Sequence, residues 1–158
     1  MESIFFYRNM QTPDAPPDGP LQGMNVAIQP NIQVEGWPSD AGSQALAGFT
    51  ALENAAVVER LTQSGAVITG STRMSEFGFG LNRSVAGKAI EAQKADAEFM
   101  LDLTGEVRLA AARAALWGFK PGWGVIPRIG TIGLIPSMET CGILADSPAN
   151  LRLILQAV

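Results

Sequence analysis

The sequence predicts an α/β domain, and three observations carry that expectation. A helical pattern with Val57, Val58 and Leu61 on one face stops at Gly65. The apolar run Ala66–Thr69 follows at once, so a helix feeds directly into a buried strand. Of the 158 residues, 47% are hydrophobic and 16% charged. That charge content is below the roughly 25% of an average globular domain, so the chain is globular and offers apolar surface to a partner.

The elements follow in order. Between Gln11 and Gly23 lie four prolines and two glycines, which sustain neither a helix nor a central strand. Residues 1–23 are therefore read as a loose proline-rich arm, with ordered structure from Met24 and a single domain over 24–158. Asn25–Gln29 is a short β-prone run closed by Pro30, and Ile32–Glu35 is a second. Asn54 is the expected N-cap of the first helix. A second helix is expected from Ser84 to Ala95, with Ala86, Ala89 and Ile90 inward and Lys88, Glu91 and Lys94 outward. Glu98–Leu101 reads as a strand, and an alanine-rich helix runs from Gly105 or Glu106 to Trp117. Gly118–Pro136, rich in glycine and proline, is expected to form short strands and turns. Ser147 as N-cap, Pro148 at the first helical position, and Leu151, Ile154, Leu155 and Val158 on one face define the last helix.

Composition excludes several chemistries. Without histidine there is no Ser-His-Asp triad, no Cys-His pair and no His-ligated metal. Cys141 is the single cysteine, so there is no internal disulfide and no cysteine-cluster metal site. No loop with alternating Asp ligands is present, and neither metal nor cofactor is expected. The net charge of −4, without a basic stripe, argues against direct nucleic-acid binding. No apolar run approaches the roughly 18 residues of a membrane span. The run Ile4–Tyr7 is shorter than a signal-peptide core, so the cytoplasm is the expected location. Phosphate loops, nucleophile elbows and dinucleotide fingerprints are absent, and Gly78-Phe79-Gly80 and Gly122-Trp123-Gly124 read as turn glycines.

Three longer segments carry more. They are Gly23–Leu46 (GMNVAIQPNIQVEGWPSDAGSQAL), Asn54–Phe77 (NAAVVERLTQSGAVITGSTRMSEF) and Gly118–Gly142 (GFKPGWGVIPRIGTIGLIPSMETCG). In the same order they resemble the amidase-signature family, and within it the A subunit of glutamyl-tRNA(Gln) amidotransferase. The resemblance implies part of that family's α/β core, a small mixed sheet flanked by helices. It also implies acyl transfer by a serine nucleophile, a second serine on a cis peptide bond and a lysine base, with backbone N–H groups holding the oxyanion.

Aligned on those motifs, this chain departs from the family at each catalytic position. The family lysine in VAVKDNI corresponds to Gln29, and a carboxamide has no useful proton affinity near neutral pH. The nucleophile of DTGGSIR corresponds to Glu106, in the stretch Asp102–Arg108 (DLTGEVR). One family glycine remains as Gly105, and the other is Thr104. The GGSSGGS segment has no clear counterpart; Asn82–Gly87 occupies its place, with Ser84 the nearest candidate for the bridging serine. Asp102, Arg108, Lys120 and Pro121 match their family positions, so a local ion-pair scaffold around Asp102 and Arg108 is expected.

The resemblance therefore implies no intact catalytic residue, with Gln29, Thr104, Gly105 and Glu106 left as possible ligand-binding groups. For Glu106 two readings stand: an acid in the first turn of a helix, favoured by the helix dipole, or a general base in a changed pocket. Gln29 is either a ligand contact or a side chain that satisfies buried backbone groups. Cys141 is read as a small buried hydrophobe, and Trp37, Trp117 and Trp123 as core. The resemblance spans the front part of the family core, so the chain is read as a truncated, degenerate homologue. A homodimer, or another protein partner, is expected over the uncovered face.

Overall fold

One mixed sheet organises the chain, and the computed structural model describes residues 4–10, 17–80 and 85–158. The elements are β1 (Phe5–Arg8), β2 (Asn25–Ile28), α1 (Ala56–Gln63), β3 (Val67–Thr72), α2 (Lys88–Glu91), β4 (Ala97–Asp102), α3 (Glu106–Ala114), β5 (Trp117–Phe119), β6 (Thr140–Ala145) and α4 (Pro148–Ala157). The strand order is β1-β3-β2-β4-β6-β5. The central strands β3, β2 and β4 are parallel, whereas β1 joins β3 and β6 joins β4 antiparallel. The α/β expectation holds.

Helices cover both faces. On one, Val57, Val58 and Leu61 of α1 and Ile154 of α4 pack with Val26, Ile28, Phe99, Leu101, Cys141 and Ile143. On the other, Val107, Ala110 and Ala111 of α3 pack with Ile90, Met100 and Leu144. This is why β4 and β6 are buried at every position. A strand covered on both faces reads as a continuous apolar run rather than an alternation.

Ordered structure begins before Met24, which corrects the boundary of the loose arm. Phe5–Arg8 pairs antiparallel with β3, Tyr7 opposite Ser71 and Arg8 opposite Gly70. A Cβ on Gly70 would lie 2.5 Å from Tyr7 O, so glycine is needed for that approach. Leu21 is buried in the main core, and its N–H donates to Ser64 O at 2.9 Å. Gln11 to Pro16 of the arm lie outside the described residues.

Several boundaries move for local reasons. The cap of α1 is Ala55, not Asn54, and its side chain makes no capping bond. Asn54 Oδ1 instead accepts from Glu35 N at 2.9 Å, and Ala56 N is satisfied by Ile129 O at 3.1 Å. The second helix shrinks to Lys88–Glu91, with Ala89 and Ile90 buried as expected; Ser84, its expected start, lies outside the described residues. The expected strand at Ile32–Glu35 is a lone bridge from Ile32 to Thr131. The last helix is as read: Ser147 Oγ accepts from Asn150 N at 3.2 Å ahead of Pro148. Among the described residues no helix is long and apolar enough to cross a membrane.

Candidate functional site

Gln29 and Glu106 lie at the same end of the sheet. Gln29 follows β2, while Thr104, Gly105 and Glu106 follow β4, the parallel neighbour of β2. Ligands in open α/β sheets gather at these carboxyl ends.

Glu106 is the first residue of α3 and is buried. Its Oε2 accepts backbone N–H groups from Leu103 at 2.9 Å, Thr104 at 2.7 Å and Gly105 at 3.0 Å. Its Oε1 accepts the Thr104 hydroxyl at 2.7 Å. The turn before α3 is thus a nest of donors, filled by the helix's own first side chain. Burial pushes the carboxyl pKa up, but the bonds from Thr104 and the surrounding backbone N–H groups outweigh it and hold Glu106 below its usual range.

Behind this turn, Asp102 is fully buried. Its Oδ2 accepts from Val107 N at 3.0 Å, and its Oδ1 meets Lys120 Nζ at 2.9 Å. Lys120 also donates to the carbonyls of Asp102 at 2.9 Å and Leu103 at 3.0 Å. The expected pairing of Asp102 with Arg108 is corrected: the cation is Lys120, carried just past the end of β5, and Arg108 is exposed. Lys120 fixes the turn that presents Thr104, Gly105 and Glu106.

Gln29 is buried, with its N–H on Phe99 O at 3.0 Å and its carbonyl accepting from Ile32 N at 2.9 Å. Among the described residues its side-chain Oε1 has no hydrogen-bond partner, and neither do the Nδ2 and Oδ1 of buried Asn31. The carboxamide oxygen therefore meets no backbone donor among the described residues. Gln29 Oε1 and Asn31 Nδ2 each lie 3.9 Å from the place a Cβ on Gly78 would take. Four cavities among the described residues stand out, and none of the four is lined by Gln29 or Glu106. The largest of them, about 770 Å³, lies over Pro30, Asp40, Arg73 and Glu76. Ser84 falls outside the described residues.

Two buried acids escaped the sequence reading. Glu98 of β4 is fully buried; its Oε1 accepts from Thr72 Oγ1 at 2.6 Å and its Oε2 from Gly87 N at 2.7 Å. Burial outweighs these bonds and pushes its pKa up to about 7. Glu139 Oε1 accepts from Leu134 N at 2.6 Å and Ile135 N at 2.9 Å, closing the loop ahead of β6. The available signal for Glu98 was an acid inside an otherwise apolar strand. Cys141 is buried as expected, and burial pushes its thiol up to about 12. Trp117 and Trp123 are exposed, contrary to the core reading, whereas Trp37 packs on the core and against Tyr7, ring centroids 4.8 Å apart. Among the described residues no group of three or more His, Cys, Asp or Glu is placed to hold a metal ion.

Comparison with known proteins agrees with this architecture. The family model described as Amidase matches residues 8–88. The glutamyl-tRNA(Gln) amidotransferase A subunit of Methanosarcina acetivorans is 33% identical over 163 residues, covering 89% of this chain and 34% of that protein. The crystal structure of the same enzyme's A subunit from Thermotoga maritima superposes with a TM-score of 0.86 at 20% identity, covering 98% of this chain and 39% of that one, a likeness of fold. Native peptide amidase from Stenotrophomonas maltophilia superposes with a TM-score of 0.78 at 28% identity, covering 89% and 34%. The chain spans about a third of the length of the curated relatives it matches. The match over residues 8–88 and the shared sheet place this chain in the amidase family.

Proposed function

We propose that this chain is a non-catalytic member of the amidase family that acts by binding or assembly, including association with a second copy of itself. The observation that carries the reading is the carboxylate of Glu106. It stands where the family resemblance puts the nucleophile, and it occupies the N–H groups of Leu103, Thr104 and Gly105 with its own oxygens. Gln29, at the position of the family lysine, is a carboxamide that takes no proton near neutral pH. Members of a catalytic group act as a unit, so loss of one removes most of the advantage. The cytoplasm is the compartment we assign.

The bonds to Glu106 weigh against its use as a general base. A base works best with a pKa near the operating pH, and Glu106 is held below even the usual carboxylate range. The test is hydrolysis of simple amides and of glutamine by the wild type beside the Gln29→Lys, Glu106→Ser double variant. The wild type is expected to give no turnover above background. Robust wild-type hydrolysis would end the proposal, and its loss in Glu106→Gln would point instead to altered chemistry at Glu106.

A further inference from the structure

Among the described residues strand β5 is an outer strand of the sheet, paired on one side only, with β6. Its three residues alternate. Gly118 faces α3, where a Cβ would lie 2.6 Å from Ala111 Cβ. Trp117 and Phe119 therefore stand on the opposite face, beside Ala145 and Ile143 of β6. Ile143 and Ala145 belong to the core under α1 and α4, yet Trp117 remains 53% exposed and Phe119 37%. The helices cover that face up to β6, and α4 reaches β5 only in part, so both rings stay partly exposed.

Natural edge strands are blunted by charges, prolines or bulges. Between Ala114 and Phe119 there is no charged residue and no proline, and the β5–β6 register is unbroken. Arg113 on one side and Lys120-Pro121 on the other flank this stretch, so the unprotected edge is confined to it. A three-residue strand centred on glycine is also self-complementary. If two copies pair antiparallel about a two-fold axis through Gly118, Trp117 of each copy falls opposite Phe119 of the other. Aromatic cross-strand pairs are favourable, and the symmetric arrangement is closed.

We propose that β5 is the contact strand of a symmetric dimer, two copies joining edge to edge about Gly118 so that the sheet continues from one to the other. This rests on the self-association proposed above and names its surface. A stable interface buries roughly 1,200 Å² or more in total, beyond what three residues a side supply. Trp123 and Val125, 70% and 61% exposed on the turn that follows β5, provide further apolar surface.

Sedimentation velocity of the full chain at micromolar concentration is the first measurement. A dimer is expected, and a monomer overturns both this surface and self-association itself. The Trp117→Lys, Phe119→Lys double variant is expected to be monomeric with an unchanged far-UV circular dichroism spectrum. If it folds and still dimerises, β5 is the wrong surface while self-association stands. A second readout covers loss of folding in that variant: Trp117→Cys and Phe119→Cys proteins are mixed, equilibrated and oxidised. Opposed positions in an antiparallel pair have Cα atoms about 4.5–5.5 Å apart, within the disulfide range of about 4.4–6.8 Å. Two copies of one position are offset by two residues and lie beyond it. The mixed 117–119 disulfide should therefore exceed either homodisulfide at least several-fold, and a statistical mixture overturns the proposal. Cys141 is fully buried and stays out of the reaction.

Discussion

Thr72 Oγ1 lies 2.6 Å from Glu98 Oε1 and 3.2 Å from Ile28 O, so one hydroxyl proton faces two acceptors. A protonated Glu98 removes the conflict: its own O–H donates to Thr72, and Thr72 donates to Ile28. The second carboxyl oxygen still accepts from Gly87 N, tying the start of α2 to the middle of the sheet.

This arrangement predicts a pH dependence of stability. With a folded pKa of about 7 against an ordinary 4.5, the folded state keeps a proton that the unfolded state has lost. The Glu98 contribution is therefore fully present below pH 4.5 and is lost as pH rises through 7. At 1.36 kcal/mol per pKa unit the span is about 3 kcal/mol. Glu98→Gln can donate to Thr72 and accept from Gly87 without titrating. Urea midpoints should show it more stable than wild type at pH 8 and little different at pH 4.5. Equal midpoints at pH 8 would show that the carboxylate is not disfavoured by the fold.

Glu106 has the opposite sign. Its folded pKa is lowered, so its stabilisation is present above the unfolded value and is lost as pH falls through the folded one. Glu106→Ala leaves the N–H groups of Leu103, Thr104 and Gly105 without their acceptor, a loss of about 2–3 kcal/mol near neutral pH. Denaturation curves should show the gap between the two proteins closing in acid. A gap independent of pH would mean that the carboxylate charge contributes nothing.

Removing Lys120 should be costly. Lys120→Met leaves the buried Asp102 side chain without its cation, a penalty of about 3–5 kcal/mol. Adding Asp102→Asn should recover part of it. A double-mutant cycle showing simple additivity would rule out coupling between the two side chains.

Cys141 should resist thiol reagents in the native protein, since only the thiolate reacts and burial disfavours it. Reaction with a chromogenic disulfide reagent is expected only once denaturant unfolds the chain. Rapid labelling without denaturant would mean that β6 opens easily.

Helix α4 was legible because its signals are local: a capping serine, a proline at the first position and one apolar face all lie within a dozen residues. Strands β2, β3 and β4 were legible as apolar runs. Strand β1 was not, because four residues ahead of a proline-rich stretch carry no pattern of their own; Phe5–Arg8 becomes a strand only by pairing with β3. The shrinkage of α2 and the bond from Glu35 N to Asn54 likewise depend on distant partners.

The sequence by itself determined the α/β class, the family resemblance and the residue types at Gln29 and Glu106. These are facts of residue type and order. Only the tertiary structure decided which groups those residues meet. It turned Glu106 back onto the donors of its own turn, gave Asp102 to Lys120 rather than Arg108, and left Trp117 and Phe119 partly exposed at the sheet edge. It also sealed Glu98 between β3 and α2. The reason is physical: hydrogen bonds, ion pairs and burial at these places join residues far apart in sequence or depend on how a turn is held. Neither periodicity nor motif spacing encodes such contacts.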